Sequence, residues 1–149
     1  MKKLAFFFVA AFIGIAALPT FAQDSKVDIF GYYFIVENYK EFADISEINL
    51  AGSMSDEQTP PFYGLIRLKK KSAPDYRLLK PTLEGKKLTF KTKTVKNVHY
   101  EFVGEFMRLA NFPETRPEAE VLLKGTLTKY RGKIITAKKV VSFSYSGGD

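Results

Sequence analysis

The chain contains no cysteine, no tryptophan and a single histidine, His99. Without thiols, disulfides, thiolate nucleophiles and cysteine-based metal sites are all excluded. One imidazole is also a poor start for a transition-metal site, which draws on several nitrogen or sulfur ligands. No G-x-S-x-G, P-loop or H-E-x-x-H run occurs, so common signatures of hydrolases, nucleotide-handling enzymes and zinc proteases are missing. Glu101 and Glu105 are four residues apart on one expected strand, about 13 Å by strand rise and too far for ordinary glycosidase geometry. The expectation leans away from an enzyme, with no metal and no cofactor. His99 is expected as a surface residue opposed by cross-strand lysines.

Long apolar runs are also scarce. The one present, Leu4 to Leu18, follows Lys2 and Lys3 and ends at Pro19, Thr20, Phe21 and Ala22. A basic start, an uncharged middle and small residues before a break make the layout of a secretory signal peptide. The run is too short and too interrupted for a span of ~20 apolar residues. Residues 1–22 are therefore expected to be a signal peptide cleaved near Ala22, and residues 23–149 a single exported domain, periplasmic or extracellular. No transmembrane segment is expected in that mature chain.

The charge is positive overall, +7 from 23 basic and 16 acidic residues, and it is unevenly spread. From Glu37 to Glu57 there are six acids against Lys40 alone; from Lys69 to Lys96 there are ten Lys/Arg against Asp75 and Glu84. A basic block of this kind suits an anionic partner. Export disfavours nucleic acid and favours an anionic component of the cell envelope or a protein. Lys69, Lys70, Lys71, Lys91 and Lys93 are the candidate contacts.

What is abundant is the vocabulary of strands. "KVDIFGYYFIVE", residues 26–37, is dense in β-branched and aromatic residues. Tyr39, Phe42, Ile45 and Ile48 then recur every third residue, which predicts an amphipathic helix with Asn38 as cap, Glu41 at the capping-box position and Gly52 as stop. Further strands are expected over 62–70, 76–83, 86–95, 99–109, 119–130 and 134–145, with Pro81 bending the second of these. Three-residue loops would set Phe90 against Gly104 and Thr92 against Phe102 in one hairpin, and Lys93 against Glu101 on its other face. In the last hairpin they would set Leu123 against Val141 and Leu127 against Ala137. A slip of one residue would mix the apolar and polar faces.

Interior glycines at 31, 64, 104 and 125 imply sharp coiling or close backbone approach. Seven strands in sequential hairpins with one early helix predict a mainly β fold. The favoured form is a small antiparallel meander barrel, lipocalin-like or OB-like in architecture; the alternative is a two-sheet sandwich. The glycine-x-tryptophan signature of lipocalins cannot occur here, because there is no tryptophan.

A barrel lined by Phe and Tyr suits an apolar or amphiphilic small ligand. The candidate lining residues are Phe90, Tyr100, Phe102, Phe106 and Tyr63. Phe112 and Arg116 join them from the proline-punctuated stretch "NFPETRPEAE". That stretch and "DEQTPPFYG" read as stiff connectors able to share a barrel rim. The expected function is a non-enzymatic binding protein with an internal pocket. The alternatives are a surface-binding or inhibitory module using the basic sheet, and a barrel enzyme without recognisable motifs.

Overall fold

A computed structural model of the chain describes residues 28–52, 62–109, 112 and 120–147. The proposed signal peptide, the proline-bearing segments 53–61 and 113–119, and with them Arg116, lie outside the described residues. Eight antiparallel strands run in sequence order around a closed barrel. They are β1 (Gly31–Ile35), β2 (Ile45–Ala51), β3 (Tyr63–Leu68), β4 (Tyr76–Glu84), β5 (Lys87–Thr92), β6 (Val98–Phe106), β7 (Leu123–Arg131) and β8 (Ile134–Ser146). Pairing of β1 with β8, through Tyr33 and Tyr145, closes the ring and rules out the two-sheet sandwich. The strand count is eight rather than seven, and the additional strand stands where a helix was expected.

That helix is replaced by one 3-10 turn, Lys40–Phe42, followed by β2. The three-residue spacing has a different origin. A bulge between Ile45 and Glu47 adds one residue to β2, so Ile45 and Ile48 both face inward although an odd number apart. Phe42 is buried from the 3-10 turn itself. A kinked strand and a plug residue thus reproduce the period of a helix.

Two-residue turns join three hairpins: Gly85–Lys86, Lys96–Asn97 and Gly132–Lys133. Both Lys96 and Asn97 have positive φ, as the tight turn between right-twisted strands demands. The expected three-residue loops are therefore shorter by one, and irregularities beside them shift the ladder again. The result is Phe90 opposite Phe102, Lys91 opposite Glu101, Leu123 opposite Phe143 and Leu127 opposite Lys139. Each register is displaced by two residues from expectation. Because side chains alternate with period two, every face assignment survives. Pro81 bends β4, where the pairing shifts between Leu79 and Thr82.

The interior is a column of the chain's own side chains. Leu88, Tyr100, Phe102, Phe106, Leu123 and Phe143 are all at most 1 % exposed. Phe102 stacks on Phe90 at 5.2 Å and meets Phe143 edge-on at 5.7 Å. Such ring pairs contribute roughly 0.5–1.5 kcal/mol each beyond area burial. Gly104 and Gly125 sit directly opposite one another beneath the Phe102 ring. A Cβ on either would overlap the other's backbone as well as the ring, so the close approach expected of these glycines is present. Gly125→Ala should therefore cost about 1–3 kcal/mol by overpacking. Urea unfolding followed by circular dichroism checks this, and a midpoint equal to wild type would contradict it.

Candidate functional site

The meander gives the barrel two chemically different ends. At the upper end lie residues 28–30, 52, 62, 107–109 and 120–122, the turn at Gly85, and the end of β8. The flanks of both proline-bearing connections, Gly52 and Phe62 on one side and Leu109 and Glu120 on the other, therefore belong to the same rim. At the lower end lie residues 36–44, 69–75 and 93–97, and the turn at Gly132.

The upper rim is aromatic. Tyr33 contacts Phe106 at 5.8 Å and Tyr145 at 5.5 Å; Phe112 contacts Tyr145 at 4.6 Å and Phe106 at 6.4 Å. Phe30 faces Phe62 at 6.4 Å. Tyr33 and Phe106 are buried, whereas Phe30, Phe112, Tyr145 and Leu109 are only partly covered. The tyrosine hydroxyls are turned to the backbone, Tyr33 donating to Ile29 O at 2.6 Å and Tyr145 to Phe30 O at 2.8 Å. Burial, with Tyr145 and Asp28 nearby, pushes the Tyr33 hydroxyl far above the usual tyrosine range. These rings consequently present edges and faces, not hydroxyls.

Lys86, whose Nζ donates to Met107 O at 2.8 Å, and Arg108 are basic donors at this rim. Arg108 follows Phe106 by two residues and bonds Glu120 through Nη2 at 2.8 Å. Its Nε is buried and has no hydrogen-bond partner among the described residues. A buried guanidinium N–H left unpaired is costly, on the order of 1–3 kcal/mol, unless an acceptor reaches it.

Of the residues expected to line a pocket, Phe90, Tyr100 and Phe102 are core, packed along the column. Phe106 and Phe112 meet at the upper rim. Tyr63 points outward and is 59 % exposed. Three clefts are bounded by described residues, and the second of them reaches Phe90 and Phe102 of the column. One of about 360 Å³ opens beside Val103, Met107 and Val140, one of about 270 Å³ beside Leu79 and Lys91, and one of about 370 Å³ beside Glu37, Tyr39 and Lys69. Sequence reasoning missed Arg108, Phe30 and Tyr145 as rim residues. The inward parity of Arg108 with Phe106 and of Tyr145 with Phe143 was available; Phe30 has the parity opposite to Tyr33, and which strand ends share a rim was not legible.

The lower end is strapped. Between β1 and β2 the chain crosses the barrel mouth, seating Phe42 inside and pinning three carboxylates to the β7–β8 hairpin. Glu37 Oε2 accepts from Ser142 N at 3.0 Å, Glu41 pairs with Lys139 at 3.5 Å, and Asp44 with Lys129 at 3.0 Å. Burial alone would raise Glu37, but hydrogen bonds from Ser142 hold it below the usual carboxylate range. Beneath the strap, Tyr76 and Tyr100 meet edge-on at 5.0 Å, and Lys129 Nζ stands 5.6 Å above the Tyr100 ring. Tyr100 hydroxyl has no partner among the described residues.

The outer face of β5–β7 carries the histidine. His99 is 8 % exposed, stacked flat on Tyr130 at 4.6 Å, so it is a covered residue and not a surface one. Glu101 stands 3.1 Å from Lys91 Nζ and 3.8 Å from His99 Nε2. Lys91 rather than Lys93 is the partner of Glu101, as the displaced register requires. Among the described residues, no group of three or more His, Asp or Glu is arranged to hold a metal. No helix among them is long and apolar enough to cross a membrane.

No protein-family model matches the chain, and no curated protein or solved structure matches it.

Burial, reinforced by Lys91 and opposed by Glu101, lowers the His99 pKa from its ordinary 6.5. The unfolded chain then takes up the proton first, so stability should fall as pH drops through 6.5 and level off below the folded pKa. The sole histidine gives one imidazole C2–H resonance, and an NMR titration should place its midpoint below 6.5. A midpoint above 6.5 would show that Glu101 outweighs burial.

Proposed function

We propose that this is an exported, non-enzymatic binding protein whose upper rim takes a small amphiphile: an apolar body against the rings and an anionic head on Arg108. The observation that carries this reading is the partly covered ring set of Phe30, Phe112 and Tyr145 on the rim where Arg108 keeps an unpaired, buried Nε. An apolar surface with few fixed polar groups is the usual composition of a small-molecule site. Charge-assisted hydrogen bonds to guanidinium select carboxylate or phosphate over neutral polar groups. Export is supported by the amino-terminal layout of Lys2, Lys3 and the apolar run after them.

The binding place differs from the one expected for a hollow carrier. Phe90, Phe102 and Phe143 fill the column, so the ligand lies across the rim instead of descending into the barrel. Eight-stranded barrels either fill their interior with side chains or hold one small ligand, and a filled column leaves the mouth for binding.

A fluorescent long-chain fatty acid and its methyl ester, titrated into residues 23–149, test the reading. Phe112→Ala should weaken both probes about tenfold, the scale of losing a large part of one ring's burial. Arg108→Leu should weaken the acid by about tenfold or more and leave the ester unchanged. Non-saturable binding of the acid, or equal effects of Arg108→Leu on acid and ester, would contradict the proposal.

A further inference from the structure

The lower end is chemically the opposite of the upper one. Lys69, Lys70 and Lys71 open the β3–β4 connection, Lys93 and Lys96 belong to the β5–β6 connection, Arg131 ends β7 and Lys133 lies in the β7–β8 turn. None of these seven forms an ion pair among the described residues, whereas the acids of the same end are engaged. Glu41 pairs with Lys139, Asp44 with Lys129 and Asp75 with Arg67, while Glu37 holds Ser142 N. The unpaired charge of this end is therefore positive and comes from three separate connections.

The same end carries the most exposed large apolar side chain of the described residues. Ile134 is 71 % exposed and its neighbour Ile135 50 %. As consecutive strand residues they project to opposite faces of the hairpin. The hairpin also runs past the barrel wall: β1 pairs only with Phe143 to Ser146, which leaves the first part of β8 without a strand on that side. Its tip is braced by Gly132 N donating to Asn97 O at 2.7 Å, so the two lysine-bearing turns stand together. A soluble polyanion would need only the lysines. An apolar tip ringed by Lys and Arg fits a surface that is anionic outside and apolar just beneath.

We infer that the lower end docks on an anionic lipid bilayer. The basic side chains lie at the headgroups, and Ile134 and Ile135 enter the boundary with the acyl chains. Basic residues near such a surface act additively, and interfacial binding grows with the apolar area that is buried. This inference is independent of whatever the upper rim holds.

The test uses residues 23–149, because the apolar run 4–18 would bind lipid by itself; this chain retains every described residue. Since the protein has no tryptophan, Ile134→Trp places a single reporter at the tip. With vesicles of 30 % phosphatidylglycerol in phosphatidylcholine, its emission should shift to the blue, while pure phosphatidylcholine should leave it unchanged. In co-sedimentation, reversal of Lys70 and Lys71 to Glu should weaken binding by roughly fivefold or more per site. The pair Ile134→Thr and Ile135→Thr, which keeps β-branching, should weaken it about tenfold with an unchanged melting curve. Absence of a blue shift on anionic vesicles would overturn the inference. So would vesicle binding that ignores the isoleucine pair, or tighter binding to dextran sulfate than to vesicles; the last two outcomes would reassign the end to soluble polyanions.

Discussion

The contact between Gly104 and Gly125, with the Phe102 ring laid over both, governs the rest of the molecule. Two backbones can approach this closely only where neither residue has a Cβ, and the space above them then admits a whole ring. Phe102 in turn supplies the face for Phe90 and the edge contact for Phe143. Rings from β5, β6 and β8 are thereby locked into one column, and the strands that carry them are drawn into a barrel tight enough to close. A barrel filled at its waist has only its ends and its outer face left for binding.

Those ends were made different by where the meander reverses. Every odd connection falls at the lower end, which collects the lysine-rich turns together with the strap. The acids of the strap are consumed in holding it to Lys129, Lys139 and Ser142. The lysines of the neighbouring connections have no ion-pair partner among the described residues. At the upper end the strand termini are aromatic, and the tyrosine hydroxyls are spent on the backbone of residues 29 and 30. Among the described residues, Arg108 keeps at that rim a buried Nε without a hydrogen-bond partner.

Much of the fold was legible before any coordinates. Period-two alternation gave the inward faces of β5 to β8, and it is insensitive to a register displaced by two, so Phe102, Phe106 and Phe143 were placed inside despite wrong partners. The interior glycines announced the tight coiling. The helix over residues 39–48 could not be told from a bulged strand, because the bulge at Ile45–Glu47 converts period two into an apparent period three. The site was less legible than the fold. Which rings are partly covered depends on which strand ends meet at a rim, and on the waist being filled. Local spacing carries neither: it places Phe90, Tyr100 and Phe102 inside without telling a packed core from a pocket lining, and all three are buried in the core cluster. His99 shows the same limit: its parity was correct, but the flat cover from Tyr130 comes from the neighbouring strand.

The central claim, a filled waist with small-ligand binding confined to the upper rim, is tested most directly by heteronuclear NMR. Residues 23–149, labelled at aromatic and arginine side chains, would be titrated with a long-chain fatty acid. The account predicts saturable shifts at Phe30, Phe112, Tyr145 and Arg108 Nε, with Phe90, Phe102 and Phe143 unmoved. Large shifts at those three core rings, with the rim silent, would mean that the barrel opens to hold its ligand inside, and would contradict the account.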